Sequence, residues 1–304
     1  MNAIPTCGVD RQGLHHLALH FAESVEPDPT ADTLHAIHAS GRGSRLSLPA
    51  GWLVVCVPIS GCLQLQSAAG QWSLPTTRMQ VWRDAPVRVD CPSPGAWVGL
   101  AGPLRAWERY VRPAHGRAAA PCIFPRQRDC PRPLRRLLVR LVRVSRGGRA
   151  ATTSDPAMLV DALCAALLDH QCDLDEYLQR CSGRTLQRRQ QTLLRLLRVR
   201  HLIEIHDDGR PDVAMLARSA NYSPWHLMRM HRDVFGQTPS EYASQLRLQR
   251  AWSLVSGTQL PICEITEALG FESQSSFCRA FKNAYGTTAG QARHGAPACR
   301  SRAA

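Results

Sequence analysis

The stretch EITEALGFESQSSFCRAFKNAYG, Glu264–Gly286, carries two short apolar patterns separated by a glycine. Apolar residues recur at helical spacing on both sides of Gly270, first as Ile265, Ala268 and Leu269, then as Phe277, Phe281 and Tyr285. The spacing predicts two short helices. Gly270 suits the left-handed conformation that ends a helix, and the Ser273 hydroxyl can cap the next one.

The second of these predicted helices has an unusual outer face. Its polar positions are Gln274, Ser275, Cys278, Arg279 and Lys282. A solvated helix usually carries Glu and Lys pairs, whereas amide, hydroxyl and guanidinium groups hydrogen-bond to base edges and phosphates. The stretch therefore predicts a helix-turn-helix.

A second copy of this pattern lies upstream in DVAMLARSANYSPWHLMRMHRDVFG, Asp212–Gly236. Asn221 takes the stop position, Ser223 the cap and Pro224 the first helical turn. Its outer positions are Trp225, His226, Met228, Arg229 and Arg232. The copies are in register, since Arg229 precedes Gly236 by seven residues and Arg279 precedes Gly286 by seven.

The segment between the copies, TPSEYASQLRLQRAWSLV, opens with a capping box, Thr238 and Glu241, and a first-turn proline. It predicts a continuous helix over Thr238–Val255. A rigid connector can hold two recognition helices about one duplex turn, roughly 34 Å, apart.

These tandem units, the joining helix and the phrase ALGFESQSSFCRAFKNAYGTTAG resemble the DNA-binding domain of AraC/XylS-type bacterial transcription regulators, over about residues 200–293. The resemblance implies that residues of both recognition helices face the major groove. With the outer cations, the candidate DNA-binding residues are Trp225, Met228, Arg229, Arg232, Gln274, Ser275, Ser276, Arg279 and Lys282. Two residues depart from the family pattern: His231 replaces a core phenylalanine, and Met228 replaces a glutamine found in one branch. We expect the first helix to read fewer bases.

Length and charge agree with a DNA partner. A chain of 304 residues with 44% hydrophobic residues can bury a core in each of two domains. We expect a cytoplasmic protein without a membrane span, because no long apolar stretch and no signal-peptide pattern is visible. The formal net charge of +13 favours a polyanionic partner.

The charge is unevenly distributed. Arg105–Arg149 holds 13 arginines against two acids, and residues 150–183 hold six acids against one arginine. A second nucleic-acid surface is one interpretation. The favoured one is that RPLRRLLVRLVRVSR forms an amphipathic helix whose apolar residues pack while its arginines stay in water. The acidic segment begins at a predicted cap, Asp155, and its stripe of Leu159, Leu163, Ala166 and Leu167 is core or a dimer seam.

The first hundred residues follow a different pattern. In WLVVCVPISGCLQLQSAAGQWSLPTTRMQVWRD, Trp52–Asp84, apolar and polar residues alternate in short runs broken by Gly, Pro and Ser. This predicts antiparallel strands in a small β-barrel or double-stranded β-helix. The AraC-type resemblance implies a cupin-like sensor domain here. Five tryptophans line an effector pocket or fill the core: Trp52, Trp72, Trp82, Trp97 and Trp107.

The sequence gives no sign of catalysis. A cupin oxygenase needs a His-rich metal set on facing strands, and the histidines of this half, His15, His16, His20, His35 and His38, precede the main predicted strands. We expect no cofactor, no metal and no enzymatic activity. The twelve cysteines show no zinc spacing. Cys181 lies between Arg180 and Arg184, cations expected to lower its pKa, so a redox-responsive regulator is an alternative.

Together these features predict an α+β protein of two domains. Residues 1–183 form a β-rich sensor and oligomerisation domain, with strands to about 102 and helices over about 133–181, and residues 184–304 bind DNA. The expected partners are double-stranded promoter DNA, RNA polymerase, a small-molecule effector and a second copy of the chain. Family habit favours an activator. The rival hypothesis is a cupin-type metalloenzyme with an appended DNA-binding domain.

Overall fold

The computed structural model describes residues 14–83, 85–111, 122–147, 155–205 and 211–294. Contacts divide the chain into an N-terminal unit, Met1–Leu194, and a C-terminal unit, Arg195–Ala304. The described residues confirm the predicted α+β class, with sheets in the first unit and helices in the second. No helix among them is both long and apolar enough to cross a membrane.

Short strands form two sheets in the N-terminal unit. The strands are β1 (Leu14–Leu19), β2 (Ser24–Val25), β3 (Leu34–Ser40), β4 (Arg45–Leu48), β5 (Trp52–Ser60), β6 (Cys62–Ser67), β7 (Gly70–Pro75), β8 (Arg78–Arg83), β9 (Val87–Asp90), β10 (Ala96–Pro103) and β11 (Arg126–Asp129). One sheet has the order β1-β3-β10-β5-β8-β11, and the other has the order β2-β4-β9-β6-β7. Pairing is antiparallel except between β1 and β3 and between β2 and β4.

The sheets begin earlier than the sequence indicates. His15 and His16 lie in β1 and His35 and His38 in β3, so four of the five histidines that precede the main predicted strands lie in strands themselves. The Trp52 ring stacks on His35 at 5.5 Å between centroids. Among the described residues, no three His, Cys, Asp or Glu side chains are arranged to hold a metal ion.

The five tryptophans of this half are core residues. Each is at most 7% exposed, and Trp97 and Trp107 are among the largest fully buried side chains. The Trp72 indole N–H donates to the Gln80 side-chain oxygen at 3.1 Å, which satisfies both polar groups inside the unit.

The helices before the unit boundary include α1 (Leu104–Glu108), α2 (Arg132–Ser145), α3 (Pro156–His170) and α4 (Leu174–Arg180). Of these, α1, α2 and α3 share one apolar core with the first sheet. Leu138 of α2 and Leu163 of α3 are both fully buried, together with Leu53 of β5, in one apolar cluster. This confirms that α2 is amphipathic. It also makes the apolar stripe of α3 part of the core, so that stripe is not a dimer seam.

The expectation that neighbouring cations lower the pKa of Cys181 is wrong. The thiol follows α4, where it is 4% exposed. Burial raises its pKa to about 12, which outweighs the opposite effect of the Arg189 charge. A thiol with that pKa is almost wholly protonated near neutral pH and is a poor nucleophile.

The C-terminal unit is helical throughout its described part. Its helices are α5 (Leu186–Ile205), which crosses the unit boundary, α6 (Val213–Ser219), α7 (Pro224–Phe235), α8 (Pro239–Gly257), α9 (Ile262–Ala268), α10 (Gln274–Tyr285) and α11 (Ala289–Arg293). The end of α5 packs into this unit: the Arg200 guanidinium lies 4.3 Å from the Phe235 ring centroid and 4.0 Å from that of Tyr242. The Tyr242 hydroxyl donates to Glu204 at 2.5 Å.

Candidate nucleic-acid interface

Two helix-turn-helix units, α6–α7 and α9–α10, are built by the same local chemistry. Asn221 and Gly270 hold the turns with positive φ angles of 55° and 64°. The Ser223 hydroxyl accepts the His226 N–H at 3.2 Å, and the Ser273 hydroxyl accepts the Ser276 N–H at 3.1 Å. The predicted stop and cap residues are therefore confirmed in both units.

The second helix of each unit also ends in the same way. Gly236 and Gly286 take left-handed conformations with φ of 77° and 71°. Their N–H groups donate to Arg232 O and Lys282 O, both at 2.8 Å. Since α7 and α10 each contain 12 residues, every position of α7 has its equivalent 50 residues later in α10.

The exposed face of α7 contains the predicted residues. Leu227, Met230, His231 and Val234 are buried, and the opposite face presents Trp225, Met228, Arg229 and Arg232. The Trp225 side chain is 68% exposed and Met228 is 42% exposed, although both are apolar. Exposed apolar side chains of this size commonly mark an interaction surface.

The two arginines of α7 already have carboxylate neighbours. Arg229 lies 3.7 Å from Asp233 one turn later, and its guanidinium is 5.6 Å from the Trp225 ring centroid. Arg232 donates to Glu241 at 3.0 Å. Exposed ion pairs of this kind contribute only about 0–1 kcal/mol, so either arginine can turn towards a phosphate or base at small cost.

Glu241 links α7 to the start of α8. Its carboxylate accepts the Thr238 N–H at 2.6 Å, and the Thr238 hydroxyl accepts the Glu241 N–H at 3.2 Å. The predicted capping box is thus confirmed. The Thr238 N–H and hydroxyl lower the Glu241 pKa, with a smaller contribution from Arg232.

The exposed face of α10 is more polar than that of α7. Phe277 and Phe281 are fully buried. The opposite side presents Gln274, Ser275, Cys278, Arg279 and Lys282. Asn283 takes the place of Asp233, and no described residue forms an ion pair with Arg279. The Arg279 guanidinium is therefore exposed without a described carboxylate of its own chain beside it.

Ser276 is less exposed than the other candidates. Its hydroxyl donates to Ser273 O at 2.7 Å and accepts the Ser273 N–H at 3.3 Å, completing the capping box. A helical step of 100° per residue puts Ser276 about 160° from Gln274 and about 60° from Arg279 around the helix. It lines a cleft of about 310 Å³ beside α8 and Arg247.

Cys278 is a surface residue that the candidate set omits. It is exposed, and it occupies in α10 the position that Met228 occupies in α7. The sequence already predicts it on the outer face, and its equivalence to Met228 is the signal that would have added it to the set.

His231 occupies a core position of the first unit. It is fully buried, its Nδ1 lies 2.5 Å from Gln237 O, and its ring meets the Phe235 ring edge-on at 4.8 Å. Burial lowers its pKa to about 4, despite the opposing effect of the Gln237 carbonyl. Near neutral pH the ring is uncharged, and Nδ1–H donates to Gln237 O.

Comparison with known proteins agrees with this geometry. Residues 216–295 match a helix-turn-helix domain family. Regulatory protein SoxS of Salmonella typhimurium is 37% identical over 92 residues, which are 30% of this chain and 86% of that protein. The right origin-binding protein of Escherichia coli strain K12 is 36% identical over 86 residues, 28% of this chain and 30% of that protein.

A solved structure, the C-terminal domain of the response regulator AraT from Geobacillus stearothermophilus, is 32% identical. The match covers 33% of this chain and 84% of that domain, at a TM-score of 0.31. The two capped helix-turn-helix units, the family match and the coverage of SoxS lead to one conclusion. This chain belongs to the AraC/XylS-type family of bacterial transcription regulators and is a DNA-binding protein.

Proposed function

We propose that this protein is a sequence-specific regulator in which α7 and α10 enter successive major grooves on one side of the duplex. The observation that carries the proposal is the shared register of two exposed faces, which places Arg229 and Arg279 at equivalent positions of equally capped helices. An α-helix fits the major groove, where each base pair presents a distinct pattern of donors and acceptors.

The two faces suit different contacts. On α10, Arg279 can bond guanine with two N–H groups and Gln274 can bond adenine, while Lys282 contacts a phosphate. On α7, Trp225 and Met228 suit the thymine methyl group, and Arg229 supplies a base contact. Arg232 contacts a phosphate of the DNA backbone. Met228 lacks a donor, so α7 specifies fewer base pairs than α10.

We assign the remaining residues a regulatory role. Residues 1–183 form a sensor and oligomerisation domain in the cytoplasm, and residues 184–304 form the DNA-binding domain. A small molecule or protein partner of the first domain changes DNA affinity or contact with RNA polymerase, and the result is activation. The two-sheet unit with its own apolar core supports this division, because such a core can fold and respond independently of the helices that bind DNA.

Genome-wide DNA capture with the full-length protein tests the central claim. We expect one shared motif with two elements, and transcription with purified RNA polymerase should rise from promoters that carry it. The Arg229→Ala/Arg279→Ala double variant is the control and should lose motif enrichment. Capture without a shared motif would reject sequence-specific binding, and a fall in transcription would reject activation alone.

A further inference from the structure

The N-terminal unit carries more positive charge than the unit with the helix-turn-helix pair. Residues 1–194 contain 23 arginines against 15 acids, a net charge of +8, and residues 195–304 contain 14 basic residues against nine acids, a net charge of +5. Base recognition by α7 and α10 does not explain the net positive charge of the N-terminal unit, because both helices belong to the C-terminal unit.

The excess is concentrated on α2, which contains no acidic residue. Arg132, Arg136, Arg140 and Arg143, here called the arginine stripe, follow one another at intervals of four, four and three residues, and all are exposed. This spacing places them within about 80° of the helix circumference and along about 17 Å of its axis. The opposite face of α2 is buried against α3 and the first sheet, so the stripe is mounted on a rigid element.

Several other arginines of this unit are matched with acids. Arg45 lies 2.7 Å from Asp90, and Arg126 and Arg128 each lie 2.8 Å from Asp173. Within the described part of the chain, Arg132, Arg136 and Arg143 form no ion pair, although the acidic helix α3 packs beside α2. A row of like charges is unfavourable by itself and is stabilised by a polyanion.

We propose that the arginine stripe is a second DNA-contacting surface, which binds the phosphate backbone of duplex DNA beside the specific site. Duplex DNA carries one charge per about 1.7 Å of axis, so a 17 Å stripe lies alongside about ten of them. Guanidinium groups bind phosphate oxygens through paired N–H donors. Because the C-terminal unit already binds DNA, the tethered stripe meets the flanking duplex at a high effective concentration, and weak contacts suffice.

Part of the acidic surface of a second copy is already engaged in ion pairs. Asp90, Asp173 and Glu176 already pair with arginines of their own chain. A partner that relied on these carboxylates would have to replace existing ion pairs. Duplex phosphates bear no such competing contact.

The test measures how DNA affinity of the full-length chain depends on salt, on a duplex with the captured site and long flanks. Relative to wild type, Arg132→Gln/Arg136→Gln/Arg143→Gln should lower the slope of log K against log salt by about 2 to 3, since each phosphate contact contributes about 0.9. The corresponding triple Lys variant should keep most of the slope. The control, Arg45→Gln/Arg78→Gln/Arg180→Gln, removes the same charge from ion-paired positions and should leave the slope near the wild-type value.

Trimming the flanks should lower the wild-type slope to that of the Gln variant. The proposal is overturned if the Gln and control variants lose equal slope, because net charge alone would then act. It is also overturned if the Gln variant keeps the full slope, or if it changes only the association state in sedimentation. The base preference at the Arg279 position is a separate readout, so a failed stripe leaves the proposed recognition by α7 and α10 intact.

Discussion

At the residue scale, equivalent positions differ in what surrounds them. Arg229 has Asp233 one turn later, whereas Arg279 has Asn283 there. A carboxylate near a guanidinium competes with a base for its N–H groups, and an amide competes less. We therefore expect Arg279 to contribute more to base discrimination than Arg229.

Replacement of Arg279 by Ala should cost about 1–3 kcal/mol of binding free energy on the specific site and relax preference at one base pair. The measurement is a set of binding isotherms on duplexes that carry each base at every position. Arg229→Ala is the matched comparison and should relax preference less. If Arg279→Ala weakens binding equally on all sequences, Arg279 contacts phosphate only.

His231 makes the stability of the first helix-turn-helix unit depend on pH. Its folded pKa of about 4 lies below the ordinary value of 6.5, so the unfolded chain binds the proton more tightly. The stabilisation is complete above the ordinary pKa and is lost as the pH falls towards 4. From pH 7 to pH 5 this residue should lower the free energy of unfolding by about 2 kcal/mol.

Urea unfolding of wild type and His231→Phe at both pH values tests this contribution. The wild type should lose about 2 kcal/mol more than the variant between the two conditions. A matched control, His226→Phe, makes the same substitution at an exposed histidine of the same helix. Parallel losses in wild type and His231→Phe would show that the buried ring does not titrate as described.

At the scale of elements, helix ends and spacing decide how the recognition faces are presented. Gly236 and Gly286 stop α7 and α10 at the same point, and nothing within 4 Å obstructs a Cβ at either glycine. A side chain at either position would enter open space, but the positive φ angle of the backbone is unfavourable for any residue with a Cβ. The cost of substitution is therefore a property of the backbone alone.

We expect Gly236→Ala and Gly286→Ala each to lower the free energy of unfolding by about 1 kcal/mol. Gly257→Ala is the control, because Gly257 ends α8 without a positive φ and also has nothing within 4 Å of its Cβ position. It should be neutral or slightly stabilising. Chemical unfolding of the three variants measures the difference, and equal effects at all three sites would contradict the left-handed assignment.

The helix α8 should make the two recognition helices act together. Its 19 residues span about 28 Å, and a helix cannot stretch. Inserting a few base pairs between the two elements of a site rotates one groove away, and affinity should fall by several kcal/mol. Inserting about 10 base pairs returns the second groove to the same side of the duplex. It also places that groove one helical turn too far from the first, so affinity should stay low. Footprints of residues 184–304 on this spacing series provide the measurement; undiminished binding at every spacing would mean that one unit alone reads DNA.

At the scale of the whole molecule, the division between units runs through α5. Residues 186–194 count with the N-terminal unit, but Arg200 and Glu204 pack on Tyr242 of the C-terminal unit. The family match begins only at residue 216. The end of α5 is therefore part of the folded DNA-binding unit, although the family match does not include it.

A fragment of residues 184–304 should bind the specific site with the same base preferences as the full chain. These preferences should not depend on the salt concentration. A fragment of residues 211–304 should be less stable, because it exposes the Tyr242 and Phe235 rings that Arg200 covers and leaves the Tyr242 hydroxyl without Glu204. Thermal unfolding of both fragments, with and without DNA, tests this. Equal melting temperatures would place the whole of α5 outside the DNA-binding unit.

Local chemistry of the sequence determined the helix-turn-helix pair. Asn221, Gly270, Ser223 and Ser273 act within four residues of their own backbone, and the apolar spacing of Phe277 and Phe281 needs only the period of a helix. Such signals do not depend on distant neighbours, so the fold of this unit, its caps and most of its outer face could be predicted.

Properties that depend on distant neighbours were decided only by the tertiary structure. The charges beside Cys181 in sequence suggested a reactive thiol, but packing buried it and raised its pKa. The stripe of α3 had two possible partners, and contact with α2 made it core. The pairing of Arg232 with Glu241 and the solvent exposure of Arg132, Arg136 and Arg143 likewise follow from the folded arrangement. Burial and ion pairing depend on which surfaces contact each other in the folded protein. Residue spacing and composition along the chain do not determine those contacts.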